Sequence, residues 1–375
     1  GSKIGRVTFI YYLSTTVAAA LLAVIVCLVI IVPAVKEFDP AEVADLTASV
    51  VSDGASKVSA YGAFKKSCGQ DSEVWCKIRM TLDHIVPSNI VDAMATSQLL
   101  GVMSFGIVVG LYVDVKEGYK SPIVALCDEI LKVMIKMIYA LIAFTPFAVW
   151  SRLCWIVMKY DMSKLAGYIG WLLVAGFTSQ FLQAFVVYPT IYVVCTRKNP
   201  LIYMKNIFPA MTAAFATASS AATFPWTLQC AVDRNNVPTK IATFVLPLGV
   251  TINMDGTCMT LIVSVFWLAY AQGLTLDFGK IMLMVITAAI SSIGTAAIPS
   301  ASLMYTGLIA EVADVPLGNL FGVIVAVDWL RDRVRTVVNV MGDSIGAGIL
   351  AHHFPLKDDD EKPAVADLES KSDGI

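Results

Sequence analysis

The most chemically loaded stretch of the chain lies near its carboxyl end and reads VDWLRDRVRTVVNVMGDSIGAGIL, Val327 to Leu350. Asp328, Asp332, Arg335, Asn339 and Asp343 are spaced four, three, four and four apart. At about 3.6 residues per turn that spacing puts all of them on one narrow helical stripe. Arg331 borders the stripe and Arg333 points away from it. An Asp or Arg at the centre of a membrane helix costs about 2.5–3.5 kcal/mol on insertion scales, so such residues face a partner or a cavity. In line, they offer a carboxylate for an ammonium, a guanidinium fork for a carboxylate, and oxygen ligands for a small cation. A purely structural ladder of ion pairs is the competing reading.

Two other stretches carry polar groups in apolar surroundings. In GVTINMDGTCM, Gly249 to Met259, Asn253 and Asp255 stand two apart beside Gly256. A local unwinding there exposes backbone carbonyls next to an amide and a carboxylate, a hard oxygen set suited to sodium. In IYYLSTT, Ile10 to Thr16, the oxygens of Tyr12, Thr15 and Thr16 share one helical face. Alone this signal is weak, because Thr in a membrane helix often bonds its own backbone.

The elements that position these groups are membrane helices. Of 375 residues, 57% are hydrophobic and 15% charged, with a mean hydropathy of +0.73, against about 25% charged in soluble domains. A net charge of −2 and the lack of a basic stripe exclude a nucleic-acid partner. His84, His352 and His353 make no metal pattern, and Cys27, Cys127, Cys154 and Cys195 sit in apolar runs. Cys68 and Cys76 share a polar loop, either bridged if it is extracellular or as free thiols. Apolar runs of about 20 residues place spans over Val7–Pro33, Gln98–Val113, Ile130–Met158, Tyr168–Val194, Lys240–Tyr270 and Leu317–Leu350. An amphipathic piece over Thr81–Ala95 precedes the second. Lys3, Arg6, Lys116, Lys120, Arg197, Lys198, Lys205, Arg234 and Lys240 then fall on one face, assigned to the cytoplasm.

Met211–Cys230 and Ile286–Tyr305 do not behave as spans. Both are crowded with Ala, Ser, Thr and Gly, and each has a Pro near its middle. Small residues permit close backbone approach and Pro breaks a helix, so both read as re-entrant hairpins, one from each face. A helix with polar residues at membrane depth follows each. The fold class is therefore an all-α polytopic membrane protein, an inverted-repeat transporter with two hairpins and two broken or polar helices, its site near the midplane.

These motifs together resemble the sodium-coupled glutamate and aspartate transporters, which include the excitatory amino acid transporters and prokaryotic relatives. KIGRVTFIYYLSTT is similar to the start of the family's third helix, SSAATFP and SSIGTAAIP to its hairpin tips, and NMDGT with the last motif to its seventh and eighth helices. The family's first two helices are missing from this sequence, which agrees with a chain that starts at Gly1 without Met. The resemblance implies that Asp332 binds a substrate ammonium, Arg335 its side-chain carboxylate, and Asn339 and Thr336 its main polar groups. Thr257, Ser219 and Ser220 would complete the pocket, with Ile298 and Ser302 in an outer lid. One sodium ion would sit among Gly249, Asn253, Asn339 and Asp343. A second would sit among Thr251, Met254, Ser292, Ile293 and Thr295, and a third among Tyr12, Thr15, Thr16, Asn253 and Asp255. Arg333, in place of an Arg in the first hairpin, resembles the eukaryotic arrangement. A homotrimer in the plasma membrane, contacting lipid, is also implied.

The implied organisation is a transport-domain helix over 1–35, an extracellular loop over 36–80, and a scaffold helix with cytoplasmic loop over 81–125. Two membrane helices follow over 126–200, a transport core over 201–352, and an acidic cytoplasmic tail over 353–375. The chain departs from the pattern at Leu261, where animal members carry a proton-bearing Glu, and at Ala218, Ala221, Ala297 and Ser302 in the tips. The expected function is sodium-driven symport of aspartate or glutamate, with no enzymatic activity. Alternatives are a sodium-coupled C4-dicarboxylate or neutral amino-acid transporter, or an anion channel of the same fold. An intramembrane aspartyl protease expects G-x-G-D, and VMGD lacks the first Gly.

Overall fold

The computed structural model describes residues 2–35, 86–95, 99–113, 121–144, scattered positions between 147 and 158, 162–318 and 320–355. The 36–80 loop with Cys68 and Cys76, the basic residues Lys116 and Lys120, and tail residues 356–375 lie outside the described residues. Among the described residues every regular element is a helix. In chain order these are α1 (Ser2–Val26), α2 (Val32–Val35), α3 (Ile90–Ala95), α4 (Leu99–Tyr112) and α5 (Pro122–Ile142). Next come α6 (Met162–Leu182), α7 (Tyr188–Thr196), α8 (Pro200–Thr217), α9 (Ser220–Gln229) and α10 (Thr239–Ile252). The last are α11 (Asp255–Ala271), α12 (Phe278–Gly294), α13 (Ser302–Val312) and α14 (Leu320–His353).

By internal packing the chain forms two units. One comprises residues 44–169 and 318–326, and within it α3 packs on α4. The other comprises residues 1–43, 170–317 and 327–375 and contains every residue of the stripe. In this second unit α11 is the central helix, touched by α1, α12 and α13. Of its residues only Tyr270 is not buried, as expected of a helix that is apolar all round.

Helix ends follow local chemistry. Asn199 caps α8 by accepting from Leu201 N–H at 2.9 Å, with Pro200 at the first helical position, and Asp277 caps α12 by accepting from Lys280 N–H at 2.9 Å. Three stretches widen to a five-residue hydrogen-bonding repeat: Cys27–Ile31, Gln183–Val187 and Cys230–Arg234. Such bulges re-aim side chains, and the middle one aims Gln183 at the site.

The spans differ from expectation in detail. The one expected over Ile130–Met158 begins instead at Pro122 and meets a turn at Ala143 and Phe144. The Lys240–Tyr270 span is two helices, α10 and α11, separated by non-helical Asn253 and Met254, whose φ/ψ are −90°/74° and −108°/56°. Both hairpins are longer than the sequence suggested: α8 with α9, and α12 with α13. Lys205 consequently lies in a hairpin arm and not in a loop. Proline is not what turns the first hairpin, because Pro225 sits inside α9. The turn is made by Ala218, at φ 50°, and extended Ser219. The left-handed conformation at Ala218 costs about 1–2 kcal/mol that a glycine avoids. In the second hairpin Pro299 does lie in the non-helical tip.

Candidate functional site

On α14 the predicted stripe is buried. Asp328, Asp332, Arg335, Asn339 and Asp343 are each 4% exposed or less. Asp332 and Arg335 form a direct ion pair, and the other arm of the guanidinium donates to the Ser302 hydroxyl at the start of α13. The remaining Asp332 oxygen accepts the Ser300 backbone N–H at 2.6 Å. Ser300 reaches it from a left-handed conformation, φ 59°. The second hairpin tip is thus fastened to both charges, so the two groups read as separate substrate anchors here satisfy each other.

The first tip meets the second at one carbonyl. The Ser219 hydroxyl donates to the Ala297 carbonyl at 2.7 Å, and Ala221 N–H approaches the same oxygen at 3.4 Å. Ser219 also accepts from Ala222 N–H, so one side chain caps α9 and joins the hairpins. Ser220 is buried beside it and Ile298 is half-buried in the second tip. Thr336 is buried, with its hydroxyl returned to the Asp332 carbonyl.

Two oxygen clusters flank the break between α10 and α11. In the first, Asp343 accepts from the Asn253 amide at 3.0 Å, and its other carboxylate oxygen is buried without a partner. Gly249 permits this approach: a Cβ there would lie 2.6 Å from Asp343 Oδ1 and 2.6 Å from the Tyr12 hydroxyl. Asn339, expected to face the same cation, directs its oxygen to Gly256 N–H at 2.9 Å and its amide toward Thr257 at 3.4 Å. It therefore holds the first turn of α11. Gly256 is required there too, since a Cβ would stand 2.5 Å from the Arg335 carbonyl.

In the second cluster Asp255 is fully buried, with the Thr16 hydroxyl at 2.7 Å, the Tyr188 hydroxyl at 2.9 Å and the Gln183 amide at 3.3 Å. The Thr15 hydroxyl lies 3.2 Å from Asn253 Oδ1, and Tyr12 donates to the Val245 carbonyl at 3.0 Å. Two of the three hydroxyls of the weak face on α1, those of Thr15 and Thr16, are thus brought onto the two polar groups of the helix break, while Tyr12 turns to the main chain of α10.

The remaining set is left apart. Thr251 is exposed and donates to Leu248, while Ser292 and Thr295 return their hydroxyls to Ala289 and Ser291. Among the described residues no hydrogen bond joins Thr251 or Met254 to Ser292, Ile293 or Thr295. Hydroxyls this close to their own helix carbonyls are satisfied locally.

Sequence reading missed Tyr188 and Gln183, the partners of Asp255, and also Tyr11 and Tyr203, which donate to the Gly342 and Ser344 carbonyls of α14. A Gln within an apolar span was a signal for Gln183; nothing local distinguished the tyrosines. Arg331, read as bordering the stripe, is 1% exposed. Arg333 lies over the exposed ring of Trp329, 5.4 Å from its centroid. Leu261 is fully buried and apolar, so that position holds no proton.

Three helical stretches, over Lys3–Ala34, Ile169–Thr196 and Thr239–Ala271 (the last broken at Asn253 and Met254), are long and apolar enough to cross a membrane. With a sealed stripe of charge among them, they define a polytopic helical membrane protein. The model of the sodium:dicarboxylate symporter family matches residues 1–353, and the chain belongs to that family. It is similar to an excitatory amino acid transporter of Caenorhabditis elegans, with 33% identity over 275 residues, 73% of this chain and 54% of that protein. Excitatory amino acid transporter 2 of Mus musculus is 36% identical over 264 residues, 70% of this chain and 45% of its own length. Excitatory amino acid transporter 5 of Homo sapiens is 33% identical over 255 residues, 68% and 45% respectively. The chain spans about half the length of these relatives.

Proposed function

We propose that the chain forms the substrate- and sodium-handling core of a symporter for an acidic amino acid. The observation that carries the reading is the buried Asp332–Arg335 pair beneath the second hairpin tip, within one unit that also holds Asn253, Asp255 and Asp343. A substrate with an ammonium and a side-chain carboxylate replaces each member of that pair with a charge of the same sign. The buried acid and base then remain paired in the bound state, which a neutral ligand does not achieve. Asp332 would take the ammonium, Arg335 the carboxylate as a bidentate fork, and Thr257, Asn339, Thr336, Ser220 and Ser302 would supply neutral polar contacts.

Sodium ions are co-substrates in this reading. The unpartnered oxygen of Asp343, beside Gly249 and Asn253, supports one position. The hydroxyls of Thr15 and Thr16 at Asn253 and Asp255 support another, with Tyr12, whose hydroxyl now donates to the Val245 carbonyl, as its third member. Thr251, Met254, Ser292, Ile293 and Thr295 would form the third only after the second hairpin shifts, since their hydroxyls are now satisfied locally. Such a shift accompanies release of Ser300 from Asp332 and gives alternating access its moving part. Location in the plasma membrane and assembly as a homotrimer are part of the same proposal, from the relationship to the excitatory amino acid transporters.

A dicarboxylate is the second reading, favoured by Arg335 alone. Asp332 opposes it, because a second carboxylate leaves that buried acid unpaired. Purified protein in liposomes under an inward sodium gradient should concentrate aspartate or glutamate above succinate. Uptake that is absent, or that never exceeds equilibration, rejects the symporter and leaves a channel.

A further inference from the structure

Among the described residues, Arg331 is the one buried cation that the proposed transport site does not use. It lies on α14 one turn before Arg335, is 1% exposed, and ranks among the largest side chains sealed from solvent. Its Nη2 donates to the Thr260 carbonyl at 3.2 Å and the Ser264 hydroxyl at 2.9 Å, both on α11. Its Nε and Nη1 have no hydrogen-bond partner. Acceptors in the same condition stand near it. Both oxygens of Asp328, three residues earlier on the same face and 1% exposed, are unpartnered. So is Oε1 of Gln180, whose amide nitrogen donates to the Thr260 hydroxyl at 2.9 Å. The Nε side faces α6, where a Cβ on Gly176 would be 3.6 Å away.

This is not the geometry of a structural ion pair. A buried acid and base lose their hydration, and they recover it best by closing into direct hydrogen-bonded contact. Asp332 and Arg335 do so with the same spacing on the same helix. Asp328 and Arg331 do not: the guanidinium bonds a main-chain carbonyl and a hydroxyl of α11. The unpartnered Asp328 carboxylate lies one turn away on the arginine's own helix, and Gln180, its amide oxygen unpartnered, is bonded to the same Thr260. Carboxylates and hydroxyls, with the side-chain amide oxygen of Asn253 beside Thr15, also make up the clusters at Asp255 and Asp343, and such oxygens are the donor set of a hard cation. The difference is that here the positive charge is supplied on a tether from α14.

We propose that Arg331 is a tethered cation occupying an oxygen-lined monovalent-cation site formed by Asp328, Thr260, Ser264 and Gln180. The protein carries this charge permanently instead of taking it from solution. The proposal is independent of which substrate the transport site accepts.

The test is the melting temperature of the purified full chain without sodium, at fixed ionic strength, in choline, potassium or rubidium chloride. Any response of other oxygen clusters is common to wild type and variants and cancels in their difference. Arg331→Met should gain a saturable rise in potassium or rubidium over choline, on the order of 3 °C, that wild type lacks. Arg331→Lys, which keeps a tethered charge, should behave as wild type. The gain should vanish in Asp328→Asn/Arg331→Met, where the site has lost its negative charge. A single Met variant that answers the three salts as wild type does overturns the proposal. A gain that survives the Asp328→Asn change overturns it as well. So does a Met variant that folds in none of the salts, because a free cation then cannot replace the tether.

Discussion

Two acid–base pairs sit on α14 with the same three-residue spacing, and the helix buries both. Asp332 and Arg335 are bonded to each other and to the second hairpin, through Ser300 and Ser302. Asp328 and Arg331 are not bonded to each other, and Arg331 reaches across to Thr260 and Ser264 of α11. The surroundings of the two pairs differ in kind. The first faces a tip that leaves its helical path at Thr295 and regains it at Ser302, with Ser300 at positive φ. The second faces the middle of a helix buried along nearly its whole length. A pair held by a hairpin tip is exchangeable for ligand when the tip moves, whereas a pair embedded against a packed helix is a fixed part of the core.

The largest effect expected from this contrast is at Arg335. Arg335→Cys leaves Asp332 unpaired and removes the carboxylate fork, a loss of about 3–5 kcal/mol for one partner of a buried pair. Sodium-driven uptake of acidic amino acids should fall by at least about 100-fold while neutral amino acids become substrates. Retained acidic uptake in that variant contradicts the role given to Arg335.

Gly256→Ala strikes both pairs through the helix that carries them, because its Cβ would meet the Arg335 carbonyl at 2.5 Å. Main chain in the middle of α14 has little room to yield, so stability should fall by about 3 kcal/mol, read as a lower melting temperature. An unchanged melting temperature shows that the α11–α14 contact is looser than the structure has it.

A matched pair of substitutions then separates the two regions. Ser302→Ala and Ser264→Ala each delete one hydroxyl that accepts from a buried arginine, worth about 1.5 kcal/mol. The first should weaken substrate binding about tenfold in a radioligand titration, since Arg335 loses a group that positions it. The second should leave binding unchanged and lower the melting temperature. If both variants shift the same readout, the distinction between an exchangeable and a fixed pair fails.

The smallest effect is expected at the meeting of the tips. Ser219→Ala removes the cap of α9 and the bond to the Ala297 carbonyl, together about 1 kcal/mol. The first hairpin should become more accessible to thiol reagents in a cysteine placed at Ala221, with little change in melting temperature. Accessibility unchanged from wild type shows that other contacts hold the tips together.

Sequence by itself determined the periodic features. The four-three-four-four spacing placed Asp328, Asp332, Arg335, Asn339 and Asp343 on one face, because a helix of fixed pitch leaves them nowhere else. Asn253 and Asp255 beside Gly256 marked the break between α10 and α11, because polar groups and glycine favour leaving a helix there. Only the tertiary structure decided what those groups meet. Tyr188 and Gln183 reach Asp255 from positions 67 and 72 residues distant. Ser300 and Ser302 claim Asp332 and Arg335, and Arg331 turns inward to α11. Pairing is settled by which oxygen lies within about 3 Å once helices pack, and that distance depends on elements far apart in the chain. Periodicity states which way a side chain points, and packing alone supplies the atom at the other end.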